Sequence, residues 1–123
     1  MQKVKKDTKR KSNSVVENLS SKVLDSIGVE YEREKTMEGM VHKKSLRFDF
    51  WFPNHGIAIE IDGKEHQKAA EGDVRFIDLR VRDKIKDKYS EENNIKLIRI
   101  PHNVKGGIAP FLRKTFAPQD LAA

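Results

Sequence analysis

Two short segments restrict this chain more than any other feature. Leu46–Phe52 alternates Leu46, Phe48, Phe50 and Phe52 with Arg47, Asp49 and Trp51. Ile57–Asp62 alternates Ile57, Ile59 and Ile61 with Ala58, Glu60 and Asp62. A period of two is the pattern of strands with one buried face. Only Pro53-Asn54-His55-Gly56 separates the segments, which predicts an antiparallel hairpin. The phenylalanine and isoleucine rows must then share the buried face, because a slip of one residue would throw one row to the other side. With a four-residue turn, Phe52 pairs with Ile57, Phe50 with Ile59, and Asp49 stands opposite Glu60. Other registers of the same parity pair Asp49 with Ala58 or Asp62. All of them leave Asp49, Glu60 and Asp62 on one face.

The remaining elements follow from periodicity and breakers. Ser14-Val15-Val16-Glu17 matches a capping box, and Val16, Leu19, Val23, Leu24 and Ile27 continue at helical spacing to Gly28. This predicts a helix over 15–27. Val29–Thr36 reads as an edge strand, Met37–Lys44 as a loop, and the polar residues 64–73 as a second loop. Val74–Glu92 carries a helical stripe of Val74, Ile77, Val81, Ile85 and Tyr89. Ile95–Ile100 reads as a strand and Ala109–Phe116 as a short helix. The order αβββαβα predicts an α/β fold, a mixed sheet flanked by helices. At 123 residues the chain suits one domain, expected over 14–118 behind a basic tail at 1–13. No apolar run approaches the roughly 20 residues needed to cross a membrane, and no hydrophobic stretch follows the basic start as in a secretory signal. Cysteine is absent, which excludes disulfides, thiolate metal sites and a cysteine nucleophile. A cytoplasmic location, in a bacterial or phage-infected cell, is the expectation.

Carboxylates that oppose one another destabilise a sheet, with Cβ atoms about 5 Å apart. A bound divalent cation relieves this, and so does a proton shared between two of them. The cation is the more economical solution for three acids, and all-oxygen donors suit Mg2+, with Mn2+ as a substitute. The expected metal ligands are therefore Asp49, Glu60 and Asp62. Plainer roles exist: Asp62 can pair with Arg47 across the hairpin, and Glu60 can face solvent. Asp49 is harder to explain otherwise, because aspartate is a poor strand former and here interrupts an aromatic-rich run. The formal net charge is +6, and Lys3, Lys5, Lys6, Lys9, Arg10 and Lys11 stand in the tail against Asp7 alone. Such an excess favours a polyanionic partner. The tail is either a solvated extension or an arm that grips DNA phosphates, and charge alone does not distinguish the two.

Asp49 in Arg47-Phe48-Asp49-Phe50, followed by Glu60 in Ile59-Glu60-Ile61-Asp62, resembles the PD-(D/E)XK nuclease superfamily. That pattern places Asp on one strand, then Glu or Asp, any residue, and Lys on the next. Asp62 stands where the pattern has lysine. The stretch Ala58-Ile59-Glu60-Ile61-Asp62-Gly63-Lys64-Glu65-His66 is similar to small phage-type nucleases related to very-short-patch repair endonucleases. Arg82-Asp83-Lys84-Ile85-Lys86, and then Ile95 to Pro101, extend the likeness over residues 14–103.

The resemblance implies a restriction-endonuclease-like sandwich that hydrolyses DNA with a divalent metal. It implies catalytic roles for Glu17, Asp49, Glu60, His66 and Asp83; Asp62, from the acid cluster, and Lys64, just past the Gly63 turn, stand beside them as further catalytic candidates. His66 is the first choice for moving a proton, and Lys64 the second, as a phosphate contact or relocated lysine. Lys86 follows Asp83 by three residues, shares its side of the helix and could reach the same phosphate. Plainer readings stand beside these. Capping alone accounts for Glu17, a solvated helix face accounts for Asp83, and His66 can be an ordinary loop histidine. Trp51 either packs beneath the second helix or stacks on a base. The expected partner is DNA, with a homodimer or accessory protein supplying the second cut or the recognition. The competing reading is a nuclease fold that only grips nucleic acid; a further variation makes the substrate RNA.

Overall fold

Helix α1 spans Lys11–Ile27, so it starts upstream of Ser14 and places Glu17 inside the helix rather than in a capping box. Neither proline nor glycine interrupts Lys11–Ser14, and nothing forces the helix to begin at the serine. It buries Val23 and Leu24, and it ends where Gly28 turns left-handed (φ 89°) and donates its amide to Leu24 O at 3.0 Å. The computed structural model describes residues 11–63 and 74–116. Lys3, Lys5, Lys6, Lys9, Arg10, Lys64 and His66 lie outside them, as does the predicted loop 64–73.

The strands are β1 (Glu32–His42), β2 (Lys44–Phe52), β3 (Ile57–Asp62) and β4 (Lys96–Pro101), in the spatial order β1-β2-β3-β4. β1 and β2 are antiparallel, as are β2 and β3, while β3 and β4 are parallel. The long helix α2 (Val74–Glu92) lies between β3 and β4 in sequence, as a parallel pair requires. A short helix, α3 (Ile108–Thr115), follows β4. The result is an α/β fold, a mixed sheet flanked by helices. Among the described residues no helix is long and apolar enough to cross a membrane.

The β2–β3 register is the one that parity and the four-residue turn predict: Phe52 pairs with Ile57 and Phe50 with Ile59. The amides of His55 and Gly56 both donate to Phe52 O, closing the turn. The predicted loop at Met37–Lys44 is instead the far half of β1, which turns at Lys43 (φ 69°) directly into β2. A shift of register between Thr36 and Val41 absorbs Gly39, whose φ of 92° would break a regular strand.

Both faces of the sheet are covered. Phe50, Phe52, Ile59, Ile61 and Ile100 pack with Val23 and Leu24 of α1 and with Ile108 and Leu112 of α3. Leu46, Phe48, Met40 and Ala58 form a second core, against which Trp51, Leu97, and Ile85 and Tyr89 of α2 pack. The row Leu46-Phe48-Phe50-Phe52, expected on one face, is therefore divided: the strand changes sides between Phe48 and Phe50. Each buried phenylalanine contributes roughly 2–3 kcal/mol of transfer free energy on either side, so the division sacrifices no burial. Trp51 packs beneath α2, the first of its two expected roles.

Candidate metal centre

The change of sides is centred on Asp49, where the β2–β3 pairs end and the β1–β2 ladder skips one pair without changing register. On one flank Arg33 pairs with Phe50 and Lys35 with Phe48, which brings Glu34 across from Asp49. On the other, the last pair is Phe50 with Ile59, which brings Glu60 next to Asp49. β4 extends the row by pairing Arg99 with Glu60. Three adjacent carboxylates in one row repel. Glu34 takes a left-handed conformation (φ 54°). The Asp49 amide donates to Glu60 Oε2 at 2.9 Å, and the Ile61 amide donates to Asp49 Oδ2 at 2.7 Å.

Glu17 of α1 joins this row from the helix layer. Carboxylate oxygens of Glu17, Glu34 and Asp49 all lie within 4.8 Å of one another. Oxygens on opposite sides of a bound Mg2+ stand roughly 4.2 Å apart, and around Ca2+ about 4.8 Å. The three oxygens are near enough to be drawn onto one small divalent cation by side-chain movement, and the donor set is all oxygen, as such ions prefer. Glu17 is 2% exposed and Asp49 5% exposed, so water does little to screen their charges. The protein supplies its own counter-charges nearby. Arg33 lies 3.1 Å from Glu17, Arg47 3.4 Å from Glu34, and the Lys86 ammonium 2.7 Å from Glu60 Oε1.

Glu60 is 8% exposed and holds Lys86 with one oxygen and the Asp49 amide with the other. Burial pushes its carboxyl up to about 7; neighbouring Asp49 adds to the shift and Lys86 opposes it. Arg99 donates to Asp83 at 3.2 Å and to Asp87 at 2.9 Å, tying α2 to β4. Burial disfavours the charge on Arg99, but Asp87, Asp83 and Glu60 outweigh it and raise its pKa above the ordinary value.

This group differs from the trio Asp49, Glu60 and Asp62 expected from parity. The parity assumption fails where β2 changes sides, so Asp49 meets Glu17 from α1 while Glu60 meets Lys86 from α2. Asp62 is half-buried at the end of β3, outside the close group, and its carbonyl accepts the His102 amide at 2.8 Å. Glu17, a candidate in the sequence, lies close to Asp49 and Glu34. Asp83 is held by Arg99 rather than presented on a solvated face. Lys86 is only 13% exposed and lies within the site rather than on the surface. Glu34 was not legible in the sequence: its segment has no clear alternation, and its place opposite Asp49 follows only from the β1–β2 register.

Compared with protein-family models, with curated proteins and with solved structures, the chain matches none of them.

Proposed function

We propose that this protein is a divalent-metal-dependent endonuclease that hydrolyses DNA phosphodiester bonds, a nuclease of the PD-(D/E)XK type. The observation that carries the reading is the convergence of Glu17, Glu34 and Asp49 from three separate elements, at the point where the β2–β3 pairs end. Buried like charges are expensive to assemble, and a fold that concentrates them at one point has a use for a cation there. The motif carried by Asp49 and Glu60 and the basic excess of the chain point the same way, to a phosphate substrate.

In this reading Glu17, Glu34 and Asp49 hold Mg2+ or Mn2+. Held there, such an ion would supply Lewis-acid stabilisation of the phosphate and a lowered pKa for water. Glu60 holds the Asp49 backbone and steadies Lys86. The Lys86 ammonium brings positive charge to the edge of the acid group, where it can contact a phosphate oxygen or orient water. It restores an amine that the strand itself lacks, since Asp62 occupies the motif's lysine position. Arg99, fixed by Asp83 and Asp87, supports Glu60 from β4. His66 and Lys64 remain candidates for proton transfer and phosphate contact.

The test is nicking of supercoiled plasmid with Mg2+ or Mn2+ and with chelator, comparing the natural protein with Asp49→Ala and Glu60→Ala. Metal-dependent nicking that falls by at least about a hundredfold in Asp49→Ala is expected. Retardation of DNA without cleavage, indifferent to chelator, would instead show a nucleic-acid-binding module. Faster cleavage of RNA than of DNA would reassign the substrate.

A further inference from the structure

Arg33 touches the surroundings of all three carboxylates. Its Nη2 donates to Glu17 Oε1 at 3.1 Å, and its Nη1 donates to Asn18 Oδ1 at 3.1 Å, one residue further along α1. Its guanidinium lies 5.7 Å from the ring centre of Phe50, which follows Asp49 in β2. Arg33 itself precedes Glu34 in β1 and pairs with Phe50 across the ladder. One side chain thus bonds the first carboxylate, adjoins the second in sequence, and rests on the neighbour of the third.

We propose that Arg33 is the positioning residue of the metal centre, fixing α1 against the β1–β2 ladder so that Glu17 reaches the ion held by Glu34 and Asp49. The proposal rests on the metal-dependent reading above. A planar guanidinium suits this role, because its fork engages two acceptors at fixed angles while its face packs on an aromatic ring. Lysine carries the same charge but cannot make both side-chain contacts and the stacking together. Groups that orient metal ligands without touching the ion change metal affinity by roughly tenfold to a hundredfold when removed.

Two effects of removing Arg33 have opposite signs, which makes the proposal decidable. If Arg33 were only a counter-charge competing for Glu17, its loss would leave the acids more negative and tighten cation binding. If it positions Glu17, its loss weakens binding despite the gain in negative charge. The experiment is titration of the full chain with Mn2+, read by electron paramagnetic resonance. The variants are Arg33→Gln, Arg33→Lys and Asn18→Ala, with thermal unfolding in chelator recorded for each. Asn18→Ala removes one anchor of the guanidinium without changing any charge or any ligand. The expected result is Mn2+ affinity about tenfold or more lower in Arg33→Gln, partly restored in Arg33→Lys, and lowered to a smaller degree in Asn18→Ala, whose fold remains intact. Affinity that is unchanged or raised in Arg33→Gln and unchanged in Asn18→Ala, with the natural protein binding Mn2+, overturns the positioning role alone. No Mn2+ binding by the natural protein overturns both this role and the metal-dependent function.

Discussion

Glu60 is a buried carboxylate with its two oxygens committed to different partners, one to a main-chain amide and one to an ammonium. Burial and the nearby Asp49 still dominate, so its carboxyl titrates at about 7 in the folded protein against 4.5 for an unperturbed glutamate. The folded form therefore binds this proton more tightly than the unfolded form does. The stabilising contribution is fully present below the unfolded value and is lost as pH rises through the folded one. In chelator, the protein is expected to lose stability through this one group as pH rises from the ordinary glutamate range through about 7. Glu60→Gln, which cannot titrate, should lack that component. Urea midpoints of the two proteins, measured across this range, should diverge; parallel curves would show that Glu60 does not titrate there. Added Mg2+ should diminish the difference, because a cation at Asp49 cancels part of the repulsion that holds the proton on Glu60.

At the level of elements, the site depends on β2 being flanked by β1, which sets Glu34 across from Asp49, and by β3, which sets Glu60 beside it. Glu34 bears part of the cost, since a left-handed conformation costs a non-glycine residue about 1–2 kcal/mol. Glu34→Gly should stabilise the metal-free protein by up to about 1 kcal/mol, the relief of φ being partly offset by glycine's extra freedom when unfolded. The same substitution should weaken Mn2+ binding. Chemical denaturation in chelator and a Mn2+ titration check the two halves, and a loss of stability would show that the ion pair with Arg47 outweighs the relief of φ. Much of this arrangement could be read from the residues. The Phe and Ile rows predicted the β2–β3 register, because two apolar faces had to coincide, and that register set Asp49 beside Glu60. The same alternation misled where it was extended to Phe48 and Leu46. The sheet is covered on both sides, and either core accepts an apolar residue, so the pattern cannot report a change of face. β1 runs past the predicted Val29–Thr36 for a related reason: Glu38, Gly39 and Lys43 dilute the strand signal, and pairing with β2 resumes only at Val41. Glu34 stayed hidden with it.

For the molecule as a whole, α3 closes the α1 side of the sheet. Leu112 is 1% exposed, and Phe116, just past the helix, packs on Phe52 with ring centres 4.5 Å apart. Leu112→Ala should cost about 2–5 kcal/mol, because the cavity it leaves adds to the lost transfer energy. Thermal unfolding in chelator measures this directly. Such a loss is a large part of the roughly 5–15 kcal/mol that usually holds a domain together. β2 contributes Phe50 and Phe52 to one core and Phe48 and Leu46 to the other, so the two cores share a strand. Loss of either core removes the packing from one face of that strand. Trp51, the single tryptophan, sits on the α2 side. Its emission therefore serves as a remote gauge of damage done beneath α3: a fluorophore on one side of the sheet and a calorimeter should report the same transition.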